Sequence, residues 1–316
     1  MTGAIVLATD QGLGYLAKDF YDNGIINKVL IYKHSRRKNH TEWYGEDGRM
    51  YSRDNVDWLL KGLDTMLYFE EAFDWKLIPM ARNRGIKNVF MPMYECTRKP
   101  LPYEPDLFLC PSELDLEYYK DKNSILVTVP VNVKWRQRTK AKNFVHNAGN
   151  GGLGGRNGTK ELLEAMKYVK SPIQLTVRTQ ELGLNSFDKR VKIENGTIPY
   201  ENLFKYGDVF IFPEKFNGLS LPLQEAYASG MLVMCADRFP MNKWLPNEPL
   251  IPVKSYRKEK IAVEFDYAEI DPQDIAKTID AWYNKDITKY SLMGKEWGIK
   301  NSWDVLKKDY RKICEK

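Results

Sequence analysis

Short apolar runs separated by stretches of mixed polarity recur along the whole chain. In the first half, Ala4–Ala8, Lys28–Tyr32, Thr65–Phe69, Asn88–Met91, Leu107–Cys110 and Ile125–Val129 each have the length and residue types of a strand. Asn143–Asn147, Ile173–Arg178, Val191–Glu194, Val209–Phe212 and Leu232–Cys235 continue the series in the second half. Between them, Thr159–Val169, Glu201–Tyr206 and Leu221–Ser229 place apolar residues at helical spacing. This alternation predicts parallel sheets with helices on both faces. At the end of the chain, Trp303, Leu306, Tyr310 and Ile313 fall at i, i+3, i+7 and i+10, which predicts one amphipathic helix over Ser302–Ile313.

Length turns this pattern into an architecture. A chain of 316 residues exceeds what one hydrophobic core usually serves. The expected fold class is therefore α/β, with two Rossmann-like doubly wound domains facing a central cleft at the carboxyl ends of their sheets, where such folds bind ligands. The polar, basic segment Val131–Lys142 after Pro130 is the predicted linker. The expected domains are residues 1–135, joined by a C-terminal helix over 302–316, and residues 136–301. A hydrophobic content of 43% describes an ordinary globular chain, and a net charge of +6 implies only tolerance of anionic partners. The first apolar run has no basic residue before it and is broken by Asp10, so it reads as a strand rather than a signal peptide. No stretch approaches the roughly 20 apolar residues of a membrane span. Cys96, Cys110, Cys235 and Cys314 are far apart and lack CxxC spacing, so reduced thiols and a cytoplasmic location are expected, with no structural zinc.

Tyr206–Asp237 reads YGDVFIFPEKFNGLSLPLQEAYASGMLVMCAD. A strand ends at Pro213, a loop carries Asn217, Gly218, Leu219 and Ser220, and Pro222-Leu223-Gln224-Glu225-Ala226 opens a helix that closes at Gly230. Pro near the start and Gly at the close suit a helix with these bounds, and place Glu225 in its first turn. The segment resembles the donor-site signature of retaining glycosyltransferases of family 4, which have the GT-B fold. In that family the second Glu of the motif binds the ribose of the nucleotide, a role that would fall to Glu225; the other reading is a Glu that only complements the helix dipole. Where the family has its first Glu, on the donor sugar, this chain has Asn217, an amide without the charge. Glu214, three residues upstream, is the alternative.

The segment His146–Met166, HNAGNGGLGGRNGTKELLEAM, carries glycines at 149, 151, 152, 154, 155 and 158 between a strand and a helix. Such a loop lets backbone amides and a helix start approach a phosphate. It is not a P-loop, since no Gly-Lys-Ser/Thr follows. The resemblance places diphosphate-binding cations here. Asn157 stands where a Lys is expected, leaving Arg156, Lys160 and Arg178, with Gly154 and Gly155 beside them. In the first half, Gly12 and Gly14 follow the first strand, and with Asp10 they would face donor and acceptor; Glu95 is a further acceptor-side candidate, or a plain surface residue. The resemblance implies transfer from a nucleotide sugar with retention, the leaving diphosphate helping to deprotonate the acceptor, with no metal or other cofactor.

Two basic runs, Lys33–His40 with Arg36 and Arg37, and Lys134–Lys142, are interleaved with Trp43, Tyr44 and Trp135. That mixture suits double-stranded DNA carrying modified bases, and a transferase resembling those that tailed phages use on hydroxymethylated pyrimidines is one expectation. Solvated loops, or a glycan or lipid-linked acceptor in surface polysaccharide synthesis, are the other. A scaffold that binds nucleotide sugar or nucleic acid without turnover is the reading from another class, motivated by Asn157 and Asn217. Trp244 packs either near a base or in the core. The oligomeric state is not legible.

Overall fold

The computed structural model describes residues 1–35, 37–149, 155–246 and 249–315. By contacts the chain divides into two compact units, residues 1–130 with 261–263 and 303–316, and residues 131–260 with 264–302.

Unit 1 is built from β1 (Thr2–Val6), α1 (Gly12–Asp22), β2 (Lys28–Ile31), β3 (Gly48–Met50), α2 (Arg53–Leu60), β4 (Thr65–Phe69), α3 (Leu77–Arg82), β5 (Lys87–Met91), β6 (Leu107–Cys110), α4 (Glu113–Tyr118) and β7 (Ser124–Leu126). Its described strands form a parallel sheet of order β3-β2-β1-β4-β5-β6-β7. β1 and β4 are buried at every position, as expected of near-continuous apolar strands covered on both faces. The first strand ends at Val6 and not at Ala8, because Tyr32 and His40 donate to the carbonyls of Val6 and Ala8 from loop positions, outside the ladder. The last strand stops at Leu126, three residues short of the sequence expectation.

Unit 2 repeats the scheme with β8 (Asn143–Gly149), α5 (Thr159–Ala165), β9 (Gln174–Thr179), β10 (Val191–Asn195), β11 (Val209–Phe212), α6 (Leu221–Ala228), β12 (Leu232–Ala236), α7 (Met241–Trp244) and β13 (Leu250–Ile251). The sheet order is β10-β9-β8-β11-β12-β13, all parallel. An antiparallel hairpin, β14 (Ser255–Lys260) with β15 (Glu264–Glu269), precedes α8 (Pro272–Trp282) and α9 (Thr288–Lys300). Glu201–Tyr206, expected as a helix, has only a short 3-10 turn at Tyr200–Asn202, and α5 stops four residues before Val169.

The C-terminal helix α10 (Trp303–Cys314) lies in unit 1. Trp303 and Tyr310 each meet Phe20 of α1 edge-on at 4.9 Å, and Tyr310 donates to the carbonyl of Thr128. The apolar stripe read from the sequence is this buried face. Among the described residues no helix is long and apolar enough to cross a membrane. All four cysteines are free. Burial pushes the thiols of Cys110 and Cys235 up to about 12 and that of Cys314 to about 11.

Candidate functional site

In unit 2 the strand order reverses direction between β8 and β11, so the loops that leave their carboxyl ends flank the crevice where open α/β sheets bind ligands. The loop after β8 reaches α5 through Gly155, Arg156, Asn157 and Gly158; Gly154 lies outside the described residues. The loop after β11 runs from Pro213 to Ser220. The two are stitched together: Lys215 N–H donates to the Arg156 carbonyl at 2.8 Å, and Lys215 Nζ pairs with Glu161 of α5 at 2.6 Å. Gly158 has a left-handed φ of 69°, and a Cβ there would lie 2.2 Å from the Pro213 carbonyl oxygen, so only glycine lets the loops approach. Asn157 does not replace a phosphate-binding Lys. It is buried, and its amide donates to the Ala148 carbonyl at 2.9 Å, holding the loop to its own strand.

His146 on β8 fixes the start of α5. Its Nδ1 lies 2.9 Å from the Ile211 carbonyl, which only accepts, so Nδ1–H donates; Nε2 then accepts from the Thr159 hydroxyl at 2.8 Å. The ring is neutral, since full burial pushes its pKa down to about 4.

Arg156 is half-buried with its guanidinium 5.7 Å from the Phe216 ring centre, and its buried Nε has no hydrogen-bond partner among the described residues. Lys160 is exposed on the first turn of α5, and Gly155 has open space around it. Arg178 is not available to a diphosphate: it is buried, its Nε meets Glu194 at 3.3 Å, and it donates to the Leu203 carbonyl. It ties β9 to β10 and to the turn beyond.

Asn217 is a loop-builder in this structure. Its Oδ1 accepts from the N–H groups of Leu219 and Ser220, both at 3.1 Å, and its Nδ2 donates to Glu214 at 2.7 Å. Glu214 is buried and paired at 3.2 Å with the buried Arg238, which also donates to the carbonyls of Glu214 and Asn217. Glu214 is thus no stand-in sugar ligand. Arg238 went unnoticed in the sequence because nothing local distinguishes Asp237-Arg238-Phe239 from a surface loop. Gly218 and Leu219 are buried within this frame. Ser220, the residue before α6, takes a left-handed φ of 46° and its buried Oγ has no partner among the described residues. A non-glycine residue held there costs on the order of 1–3 kcal/mol, the kind of strain that marks functional loops.

α6 begins at Leu221, so Glu225 stands at its fifth position, one residue further in than the sequence suggested and just past the first turn. Its half-buried carboxylate accepts from the Tyr200 hydroxyl. Trp244 stacks on Trp297 at 5.2 Å in the apolar cluster around Tyr227, which assigns it to packing.

Unit 1 has its own switch point between β1 and β4. Gly14 sits where an added Cβ would meet the Thr9 carbonyl oxygen at 2.1 Å, so it packs α1 onto the loop after β1; Gly12 faces open space. Asp10 is bound by His40 and Tyr15. Glu95 is almost fully buried beside Asp115 rather than on a surface. Burial, reinforced by the charge of Glu95, pushes Asp115 up to about 7 although Ser112 donates to it. Arg37 is exposed, and Arg36 lies outside the described residues.

Within the second basic run Arg138 is structural, whereas Lys134, Arg136, Lys140 and Lys142 are exposed. Arg138 is buried and donates to the carbonyls of Arg136, Phe204, Gly207 and Ser229. Burial, with the charge of Arg136, lowers it to about 10. The Trp135 indole donates to the Ser291 carbonyl, Tyr44 is buried, and Trp43 stacks on His40 at 4.6 Å. None of these is a free platform for a base.

No protein-family model matches this sequence, and no characterised protein matches it by sequence. Solved structures do match. HepE of Anabaena in complex with UDP aligns at a TM-score of 0.69 and 10% identity, covering 99% of this chain and 98% of that one. The lipopolysaccharide outer core galactosyltransferase WaaB in its apo form aligns at 0.65 and 14%, covering 99% of both chains. Sucrose-phosphate synthase from Thermosynechococcus elongatus aligns at 0.64 and 14%, covering 99% and 98%. The chain has the GT-B fold. Among the described residues, no group of three or more His, Cys, Asp or Glu side chains is placed to hold a metal ion.

Proposed function

We propose that this GT-B protein is a glycosyltransferase that moves a sugar, with retention, from a nucleoside diphosphate donor to a hydroxyl acceptor. The observation that carries the reading is the crevice of unit 2. There Arg156, whose buried Nε has no partner among the described residues, and strained Ser220, whose buried hydroxyl likewise has none among them, stand on the loops at one topological switch point, and Glu225 with its half-buried carboxylate stands on α6, which follows the second of them. Buried polar atoms without partners at such a place are what a polar ligand satisfies. In this reading Glu225 accepts two hydroxyls of a ribose, and Arg156 and Lys160 hold the diphosphate. Two solved structures of HepE support a uridine nucleotide, one with UDP and one with UDP and glucose.

Breaking the bond between anomeric carbon and diphosphate oxygen leaves the pair of electrons on the diphosphate. Arg156, Lys160 and the loop amides stabilise that growing charge, and the diphosphate takes the proton of the acceptor hydroxyl as the new C–O bond forms. Fixed cations do this without a divalent ion, so transfer is expected in EDTA. A nucleotide-sugar substrate and four free thiols favour a cytoplasmic location.

The acceptor we assign to a saccharide, because Trp135 and Tyr44 are committed to the fold and offer no platform for a base. The second reading, a hydroxymethylated pyrimidine in DNA, keeps exposed Lys33, Arg37 and Lys38 beside the exposed Tyr32 ring. Incubation with UDP-sugars, and separately with alkyl glycosides or DNA containing 5-hydroxymethylcytosine, tests both by product mass. A protein that binds UDP but never cleaves a donor over hours is a binding scaffold instead.

A further inference from the structure

We infer that His40, clamped between two carboxylates, is a positioning residue that aims Asp10 at the acceptor hydroxyl; this rests on the glycosyltransferase reading. His40 Nε2 lies 3.0 Å from Asp10 and Nδ1 lies 2.9 Å from Glu42. A carboxylate only accepts, so Nδ1–H donates to Glu42, while Nε2 faces Asp10 at ion-pair distance without an aligned hydrogen bond. The ring plane stacks on Trp43 at 4.6 Å and 7°, and the backbone N–H of His40 donates to the Ala8 carbonyl at 2.8 Å. The ring therefore cannot swing away from the loop that follows β1.

Asp10 stands on that loop at the switch point of unit 1, with a second contact from the Tyr15 hydroxyl of α1 at 3.4 Å. The two groups differ in access. The His40 side chain is 12% exposed, whereas that of Asp10 is 38% exposed, so the carboxylate retains an edge for a ligand. Beside it, Thr9 is fully buried and its Oγ1 has no hydrogen-bond partner among the described residues. Across the crevice, the loop after β4 holds Glu70 and Phe73 at positive φ of 58° and 56°, a second strained segment at the same end of the sheet. A carboxylate held by an ion pair and left with an open edge, at the crevice of unit 1, suits the hydroxyl of a sugar.

The charged groups around His40 set its titration. Burial works against its charge, but Glu42 and Asp10 outweigh that and raise its pKa above the ordinary value; Lys38 acts on Glu42, and Tyr15 on Asp10. The clamp is present below that raised value and is released as pH rises through it.

The test uses the full chain. The protein has three histidines, and His146 is buried and neutral, so imidazole resonances are few enough to assign by substitution. Proton NMR of wild type should show one ring titrating above the ordinary histidine value, absent in His40→Asn and shifted down in Asp10→Asn. Initial rates of UDP-sugar cleavage, with water and with alkyl glycosides as acceptors, are then followed from pH 5.5 to 9. UDP affinity by calorimetry reports on unit 2 separately. Expected are unchanged UDP affinity, a loss of roughly 10-fold or more in kcat with glycoside for His40→Asn and Asp10→Asn, and disappearance of the alkaline fall from both profiles. UDP binding with a His40→Asn profile that superimposes on wild type overturns the inference. Failure of wild type to bind UDP overturns the donor-site reading beneath it.

Discussion

Replacing Asn217 by alanine separates a loop-builder from a sugar ligand. The substitution removes two bonds from the N–H groups of Leu219 and Ser220 and one donated to the buried carboxylate of Glu214. Neutral hydrogen bonds contribute about 1 kcal/mol net each and those to charged groups about 1.5–3, so the loss is roughly 3.5–5 kcal/mol. For a unit of this size that lowers the melting temperature by roughly 7–20 °C. Freed of the two bonds, Ser220 can leave its left-handed conformation, so UDP-sugar turnover falls together with stability. Asn217→Asp retains the acceptors but sets a second carboxylate against Glu214, and should be no better at neutral pH while recovering partly in acid. The assay is scanning calorimetry beside UDP titration and donor cleavage. If Asn217→Ala melts within about 1 °C of wild type, binds UDP normally and loses only cleavage, the side chain touches the sugar and the structural argument is refuted.

Other outcomes follow from the same geometry. Glu225→Ala should weaken UDP binding on the order of 100-fold by calorimetry, from two lost charge-assisted bonds, with little change in melting temperature; equal losses of both would contradict a ligand role. Arg156→Ala should lower kcat by roughly 10²–10³, as removal of an oxyanion-stabilising donor does, measured by release of UDP. Gly158→Ala should unfold or displace the loop, because its Cβ would collide with the Pro213 carbonyl, and the melting temperature reads this directly. His146 has a folded pKa of about 4, below its unfolded value near 6.5. Its neutral form therefore contributes stability that is complete above pH 6.5 and is lost as pH falls toward 4, roughly 3 kcal/mol. Urea melts of wild type and His146→Asn over that range should converge in acid; parallel curves would remove His146 from the account.

Much of the architecture was legible because doubly wound units advertise themselves. Strands buried on both faces, such as Thr65–Phe69 and Val209–Phe212, are short unbroken apolar runs, and both appear at the expected residues. The hairpin β14–β15 was not legible. Ser255–Lys260 reads SYRKEK, so its period of two is hidden by charge on both faces, and most of its residues are exposed. Glu201–Tyr206 failed as a helix because Gly207 follows at φ 101° and Tyr206 stays exposed, leaving too little apolar area to hold more than a turn. At the site, the loop-helix signatures around Arg156 and Glu225 could be read locally. The network of Glu214, Asn217 and Arg238 could not, because Arg238 stands 24 residues from Glu214 in the chain. The same limit applied to Arg178 and Arg138: a cation's availability depends on distant carbonyls and carboxylates that no local pattern records. His40 was passed over as one member of a basic run, where its partners Asp10 and Glu42 were not visible as a clamp.

The central claim is donor cleavage at the crevice of unit 2. It is tested by incubating wild type, Glu225→Ala and Arg156→Ala in EDTA with UDP-sugars and each acceptor class, and weighing the products by mass spectrometry. The account predicts a hexose-sized mass gain on an acceptor, or free sugar and UDP, with wild type and strong loss of both with the two variants. Unchanged donor in every reaction, or equal product from wild type and both variants, would contradict it.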